Sequence, residues 1–171
     1  GQLVIGAIAA CGVGVFYPDP ESRLLLPFMM LAGALAGMAW AAIPAFLRTR
    51  MSTNEILVTL MLTYIATLFL SWLVHGPWGD PAGFNYPQTA LLPATAMFEP
   101  FDYSYRLNGS VFITVVAVFA MWLFTDRSFL GYKMSVSGAA PLAARYAGFA
   151  ESSAVWIGLL AGGAAAGIAG M

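Results

Sequence analysis

The chain has 171 residues, of which 60% are hydrophobic and only 9% charged, with a net charge of −1. A soluble domain carries roughly 25% charged residues, so this composition excludes an ordinary water-soluble fold. Seven Lys and Arg against eight Asp and Glu leave no basic patch, and nucleic acid is not a partner the sequence supports.

The few charges are confined to short patches. No Asp, Glu, Lys or Arg occurs in 1–18, 24–47, 56–79, 107–125 or 152–171, stretches of 18, 24, 24, 19 and 20 residues. A helix needs about 20 apolar residues to cross a bilayer core. The expectation is an all-α integral membrane protein, a polytopic helical bundle with about five transmembrane helices.

In chain order, the first helix is expected over Leu3–Tyr17, closed by Pro18-Asp19-Pro20. The second runs over Leu24–Leu47, with Pro27 near its start and Pro44 near its end. The third covers Ile56–Val74, the fourth Ser110–Thr125 and the fifth Ser153 to residue 171. Loops are expected at 18–23, 48–55, 75–109 and 126–152. Both ends of the chain are apolar, so it reads as an internal piece of a longer membrane protein forming a single transmembrane domain.

Cytoplasmic loops collect Lys and Arg. The second and fourth loops hold Arg48, Arg50, Arg127, Lys133 and Arg145, and the first and third hold only Arg23 and Arg106. Loops 48–55 and 126–152 are therefore expected in the cytoplasm, and 75–109 outside. Small residues recur at every fourth position in Gly6/Ala10/Gly14, Gly33/Gly37, Gly158/Gly162 and Gly163/Gly167. That spacing lets helix backbones approach closely within lipid. Trp40, Trp72, Trp78 and Trp122 lie near expected span ends and suit interfacial anchors.

Within 126–152, Pro141 suits the first turn of a helix and Gly148 a left-handed stop. About two turns fit between them. Leu142 and Tyr146 then share one face with Arg145 beside them, two apolar knobs outside the bilayer. They either dock in a partner's groove or lie on the protein's own helix ends.

Ser52-Thr53-Asn54-Glu55 precedes the third helix, and Ser52 with Glu55 has the spacing of a capping box. Alternatively, Asn54 and Glu55 sit at the mouth of a polar pathway continued by Thr59, Thr63 and Thr67. Those threonines share one helix face, though each can also bond the carbonyl four residues back.

Other chemistry finds no residues to carry it. Cys11 is the only cysteine and His75 the only histidine, so neither type can build a metal site. Nothing matches a phosphate-binding Gly-x-x-x-x-Gly-Lys-Ser/Thr loop or a Gly-x-Ser-x-Gly nucleophile elbow. No ionisable carboxylate or lysine lies within a span to relay protons, no cofactor is expected in this chain, and it is not expected to be an enzyme.

Asn54-Glu55-Ile56-Leu57-Val58-Thr59-Leu60-Met61-Leu62-Thr63-Tyr64-Ile65-Ala66 resembles the signature of nucleoside-type ABC importer permeases, related to the ribose and branched-chain amino acid permeases. Gly76-Pro77-Trp78, Asp80-Pro81 and Tyr86-Pro87-Gln88-Thr89 are similar to the same group. So is Leu130-Gly131-Tyr132-Lys133 followed by Pro141, Ala143-Ala144-Arg145-Tyr146-Ala147 and Gly148. Order and spacing agree over about residues 30–171.

The resemblance implies a subunit passing nucleosides or simple sugars across the cell membrane. Its partners would be a second permease subunit, separate ATPase subunits and an extracytoplasmic binding protein. It also implies that 126–152 is the segment coupled to the ATPase. Leu142, Arg145 and Tyr146 would dock, and Gly131, Gly138 and Gly148 would supply its bends. Asn54, Glu55, Thr59 and Thr63 are the expected pathway residues. Three positions depart from the family pattern: Thr63 where members usually carry Asn, and Ser135 and Ala140 where they usually carry Arg and Asn. Competing expectations are an ATP-independent transporter or channel, and a non-transporting membrane scaffold.

Overall fold

In lipid, a backbone can satisfy its own N–H and C=O groups only within a helix or a closed barrel, and each charge-free stretch here becomes a helix. The computed structural model describes residues 1–16, 24–79, 89, 100–102 and 107–171. The long helices are α1 (Gln2–Phe16), α2 (Leu25–Met51), α3 (Glu55–His75), α4 (Ser110–Arg127) and α7 (Glu151–Ala169). Two short ones, α5 (Phe129–Ala139) and α6 (Pro141–Tyr146), lie between α4 and α7.

Helices α2, α3, α4 and α7 are long and apolar enough to cross a membrane, while α1 is shorter at 15 residues. The polytopic all-helical expectation therefore holds. Helix α2 continues past Leu47 to Met51, which places Arg48 and Arg50 in its last turn. Cations there face the negative end of the helix dipole, so the charges extend the helix instead of ending it.

The Pro18-Asp19-Pro20 closure, Arg23, Arg106 and most of the 75–109 loop lie outside the described residues. In that loop a two-stranded antiparallel ladder joins β1 (Pro100–Asp102) to β2 (Leu107–Asn108). Pro100 faces Asn108 and Asp102 faces Leu107, with an irregular register between them. Gly79 bridges Thr89.

The chain divides into two compact units, Gly1–Met97 with Leu159–Met171, and Phe98–Gly158. In the first, α1, α2 and the end of α7 meet through glycines. A Cβ on Gly33 would lie 2.9 Å from the Gly167 carbonyl oxygen, and one on Gly163 would lie 2.6 Å from the Ala41 Cβ. A Cβ on Gly6 would collide with Gly167, and one on Gly37 with the Gly163 carbonyl. Only hydrogen fits at these crossings, so backbone packs on backbone and dispersion replaces a hydrophobic driving force. Ala10, Leu25 and Met29 form the adjoining core, with Val13 and Met171 against it.

Of the small-residue sets, Gly6 of the first, Gly33/Gly37 and Gly163/Gly167 carry this contact. Gly162 has nothing within 4 Å of where a Cβ would stand, and Gly158 meets only the end of Met134, in the second unit. Trp78 is a packing residue: its ring stands edge-on to Phe16 at 6.4 Å and covers Gly12. Trp40 lies in mid-α2 with its indole Nε1 buried and without a partner, so the interfacial reading does not apply to it. Helix α3 buries only Ala66 and Leu73.

The second unit holds α4, α5, α6 and the start of α7. Helix α4 buries no residue, and its Val115, Val116, Val118 and Phe119 side chains are exposed, as suits a face bathed in lipid.

Candidate functional site

Segment 126–152, expected as a loop with one short helix, contains two. Ser128 breaks from α4 in an extended conformation (φ −92°, ψ 150°) and caps α5, its Oγ accepting the Gly131 N–H at 3.0 Å. An Oγ acceptor placed three residues before the orphan N–H is the ordinary N-cap arrangement. Ala140 interrupts the path again (φ −144°, ψ 76°), and Pro141 opens α6 at its first turn, where no N–H is needed.

Gly148 ends the segment with φ 77°, the left-handed conformation expected of it. Phe149 N–H donates to the Ala144 carbonyl at 2.9 Å and Gly148 N–H to the Arg145 carbonyl at 3.1 Å. Those two bonds make a Schellman motif, which a side chain with a Cβ would strain.

Gly131 and Gly138 are not bends. Both lie within α5, and the changes of direction fall at Ser128 and Ala140. Gly131 is buried because a Cβ there would collide with the carbonyl of Thr125 and press on that of Phe124, so it permits α5 to fold back on the end of α4. Gly138 has open space around it. Sequence reasoning takes glycine as a breaker, whereas Gly131 serves close approach.

Helix α6 presents its functional candidates outward. Leu142 is 73% exposed and Tyr146 94% exposed, while Ala144 is buried. Leu142, Arg145 and Tyr146 together line a shallow cavity of about 430 Å³. The group offers two apolar surfaces and a guanidinium able to hold a carboxylate bidentately, which suits contact with another protein.

Lys133 is a feature that sequence reasoning counts only as a charge. Its Nζ stands 4.6 Å from the centroid of the Phe129 ring and 5.3 Å from that of Phe149. The two rings meet edge to face at 6.3 Å and 88°. Phe129 and Lys133 are four apart on one helix, a legible pairing, but Phe149 enters only through the fold.

In the first unit, the residues around 54 are spent differently from the expected capping box. Asn54 is the N-cap of α3, its Oδ1 accepting the Ile56 N–H at 3.0 Å. Ser52 instead ends α2 in a left-handed conformation with φ 50°, and Glu55 pairs with Arg48 at 3.0 Å. Thr53 Oγ1 donates back to the Leu47 carbonyl at 3.3 Å, tightening the turn.

The threonine stripe is present, but its donors are occupied. Thr59 Oγ1 donates to the Glu55 carbonyl at 2.9 Å, Thr63 to Thr59 at 2.8 Å, and Thr67 to Thr63 at 3.2 Å. Thr63 Oγ1 also accepts from the Gly1 amino group at 3.1 Å, whereas the Thr59 and Thr67 oxygens keep their lone pairs as acceptors. Among the described residues, no group of three or more His, Cys, Asp or Glu could hold a metal ion.

Comparison with known proteins adds the family. The glucose ABC transporter permease protein TsgB13 of Haloferax volcanii is 35% identical over 181 residues, covering 100% of this chain and 47% of that protein. The guanosine ABC transporter permease protein NupP of Bacillus subtilis is 30% identical over 172 residues, covering 99% and 49%. The nucleoside ABC transporter permease protein NupB of Lactococcus lactis is 26% identical over 178 residues, covering 100% and 49%. The chain thus spans about half the length of the curated relatives it matches. No solved structure matches it. All of residues 1–171 match the family described as branched-chain amino acid transport system / permease component, and the chain belongs to that family.

Proposed function

We propose that the chain is part of the transmembrane subunit of an ATP-binding-cassette importer that admits nucleosides or simple sugars by alternating access. Relatives named for guanosine, nucleosides and glucose support this cargo class. In this reading ATP is hydrolysed on separate subunits, a second permease subunit completes the pathway, and an extracytoplasmic protein delivers the substrate. On the same reading segment 126–152 faces the cytoplasm, which the excess of Lys and Arg in Arg127, Lys133 and Arg145 supports, and 75–109 faces outside.

The observation that carries the reading is α6, whose Leu142 and Tyr146 stand in solvent on a helix closed at its exit by the Schellman turn. Leu142, Arg145 and Tyr146 dock the ATPase, and Gly148 holds the exit of the docking helix. Gly131 supports the segment by letting α5 pack on α4 and Gly138 by leaving its outer surface bare. Thr59 and Thr63 line the pathway and accept hydrogen bonds from substrate hydroxyls, and Asn54 and Glu55 shape its mouth through the α2–α3 turn.

The test is uptake of labelled guanosine and glucose by the full-length permease with its ATPase and partner subunits, with and without ATP depletion. ATP-dependent uptake is expected, and Tyr146→Asp abolishes it while insertion is retained, because the variant puts a charge into an apolar contact. Uptake that ignores ATP, or survives Tyr146→Asp, refutes the docking reading.

A further inference from the structure

We propose that Lys133, Phe129 and Phe149 form a clasp that closes the α5–α6 excursion into one lever, making Lys133 a positioning residue for energy coupling. The inference rests on the importer reading above.

Helix α6 buries only Ala144, so a push on Leu142 or Tyr146 leaves it chiefly through its two ends. The entry end is Ala140 (φ −144°, ψ 76°), where no side chain caps α6 and the N–H donates back to the Val136 carbonyl at 2.9 Å. The exit end is the Schellman turn at Gly148, and the next residue is Phe149. Its ring meets Phe129, the residue that opens α5, edge to face at 6.3 Å. The exit of the excursion thereby grips its entrance.

Lys133 sits where it can hold that grip. Its Nζ faces both rings, at 4.6 Å and 5.3 Å, and the side chain is half-buried. The ion pair found among the described residues is Arg48–Glu55, which leaves Lys133 facing aromatic rings without a carboxylate. A cation over a ring is attracted to the negative face of its quadrupole, the more so where water is partly excluded. Met134, the next residue, reaches Gly158 on α7, with its Cε 3.4 Å from where a Cβ would stand. Helix α5 therefore meets Phe149, which leads into α7, and approaches α7 again at Gly158, so that motion of α6 carries the adjoining ends of α4 and α7 together. With the clasp open, α6 rocks alone on Ala140, and ATP is hydrolysed without moving substrate.

The experiment uses the full-length permease with its ATPase subunits and binding protein in proteoliposomes. It measures labelled guanosine or glucose moved per ATP hydrolysed. In Lys133→Gln this ratio falls about twofold to thirtyfold, the range a lost cation–π contact of this kind implies. Lys133→Arg, which keeps a cation over the rings, restores the ratio. The ATPase still co-purifies with Lys133→Gln, since the α6 surface is intact. An unchanged ratio in Lys133→Gln overturns the proposal. Should that variant fail to insert, Phe149→Leu decides by the same ratio. Spin labels at the exposed positions Ser135 and Ala147 provide a readout independent of transport. Their distance distribution broadens in Lys133→Gln but not in Lys133→Arg, and an unaltered distribution overturns the clasp. ATP-independent uptake by the unaltered protein refutes the importer reading, and the spin-label distances still decide the clasp.

Discussion

Two neighbouring glycines on α7 should respond oppositely to the same added methyl group. At Gly163 the new carbon would lie 2.6 Å from the Ala41 Cβ and 2.7 Å from the Gly37 carbonyl oxygen. Non-bonded carbons rest at about 3.5–4.0 Å, so α2 and α7 must separate by about 1 Å. Both neighbours are fixed to the backbone, so no side-chain rotation offers relief. Overpacking of this kind costs about 1–3 kcal/mol, and alanine's better helix propensity offsets up to about 1 kcal/mol of it. Gly163→Ala should therefore lose about 1–2 kcal/mol. At Gly162 nothing lies within 4 Å of the new carbon, so only the propensity term acts. Gly162→Ala should be as stable as the unaltered protein, or more stable by up to about 1 kcal/mol. Reversible unfolding of the full-length permease in mixed micelles, titrated with a denaturing detergent, measures both. Equal shifts in the two variants, or an undisturbed Gly163→Ala, would refute the assignment of this crossing to one glycine face.

The remaining predictions concern the turns. Gly148→Ala forces a Cβ into a left-handed residue and should cost about 1–2 kcal/mol, seen as faster proteolysis of the α6–α7 turn. Asn54→Ala removes the cap that receives the Ile56 N–H and should cost about 1 kcal/mol in the same detergent titration. Glu55→Gln should cost less, below about 1 kcal/mol, because the Arg48 and Glu55 side chains are 44% and 33% exposed and solvent screens the pair. A larger loss for Glu55→Gln than for Asn54→Ala would reverse this ranking.

Much of the candidate site is legible residue by residue. Pro141 and Gly148 bracket a helix of Pro141–Tyr146, and Gly148 takes the left-handed conformation, because these two residue types have few other uses at such positions. Leu142 and Tyr146 share an exposed face by spacing alone. Helix α5 escapes a sequence reading because two glycines in eleven residues read as breakers, whereas the Ser128 cap and the close α4–α5 approach make Gly131 a helix residue. Around Asn54, the spacing of Ser52 and Glu55 fits a capping box, yet the turn is only three residues long and Ser52 is consumed in ending α2. Asn54 is then the residue left in position to cap.

The bare sequence determined that the chain carries long apolar helices, where each of these lies to within a few residues, and that the cations cluster at and between their ends. These follow from the cost of placing charge or unpaired backbone in lipid, a local cost borne by each segment whatever its neighbours. Only the tertiary structure decided which of the small-residue pairs on α7 meets α1 and α2, since spacing defines a face without naming what it faces. Tertiary structure alone also gave Glu55 to Arg48 and placed Phe149 against Phe129 and Lys133. Those contacts join residues separated by turns, and their geometry depends on how each turn directs the next helix.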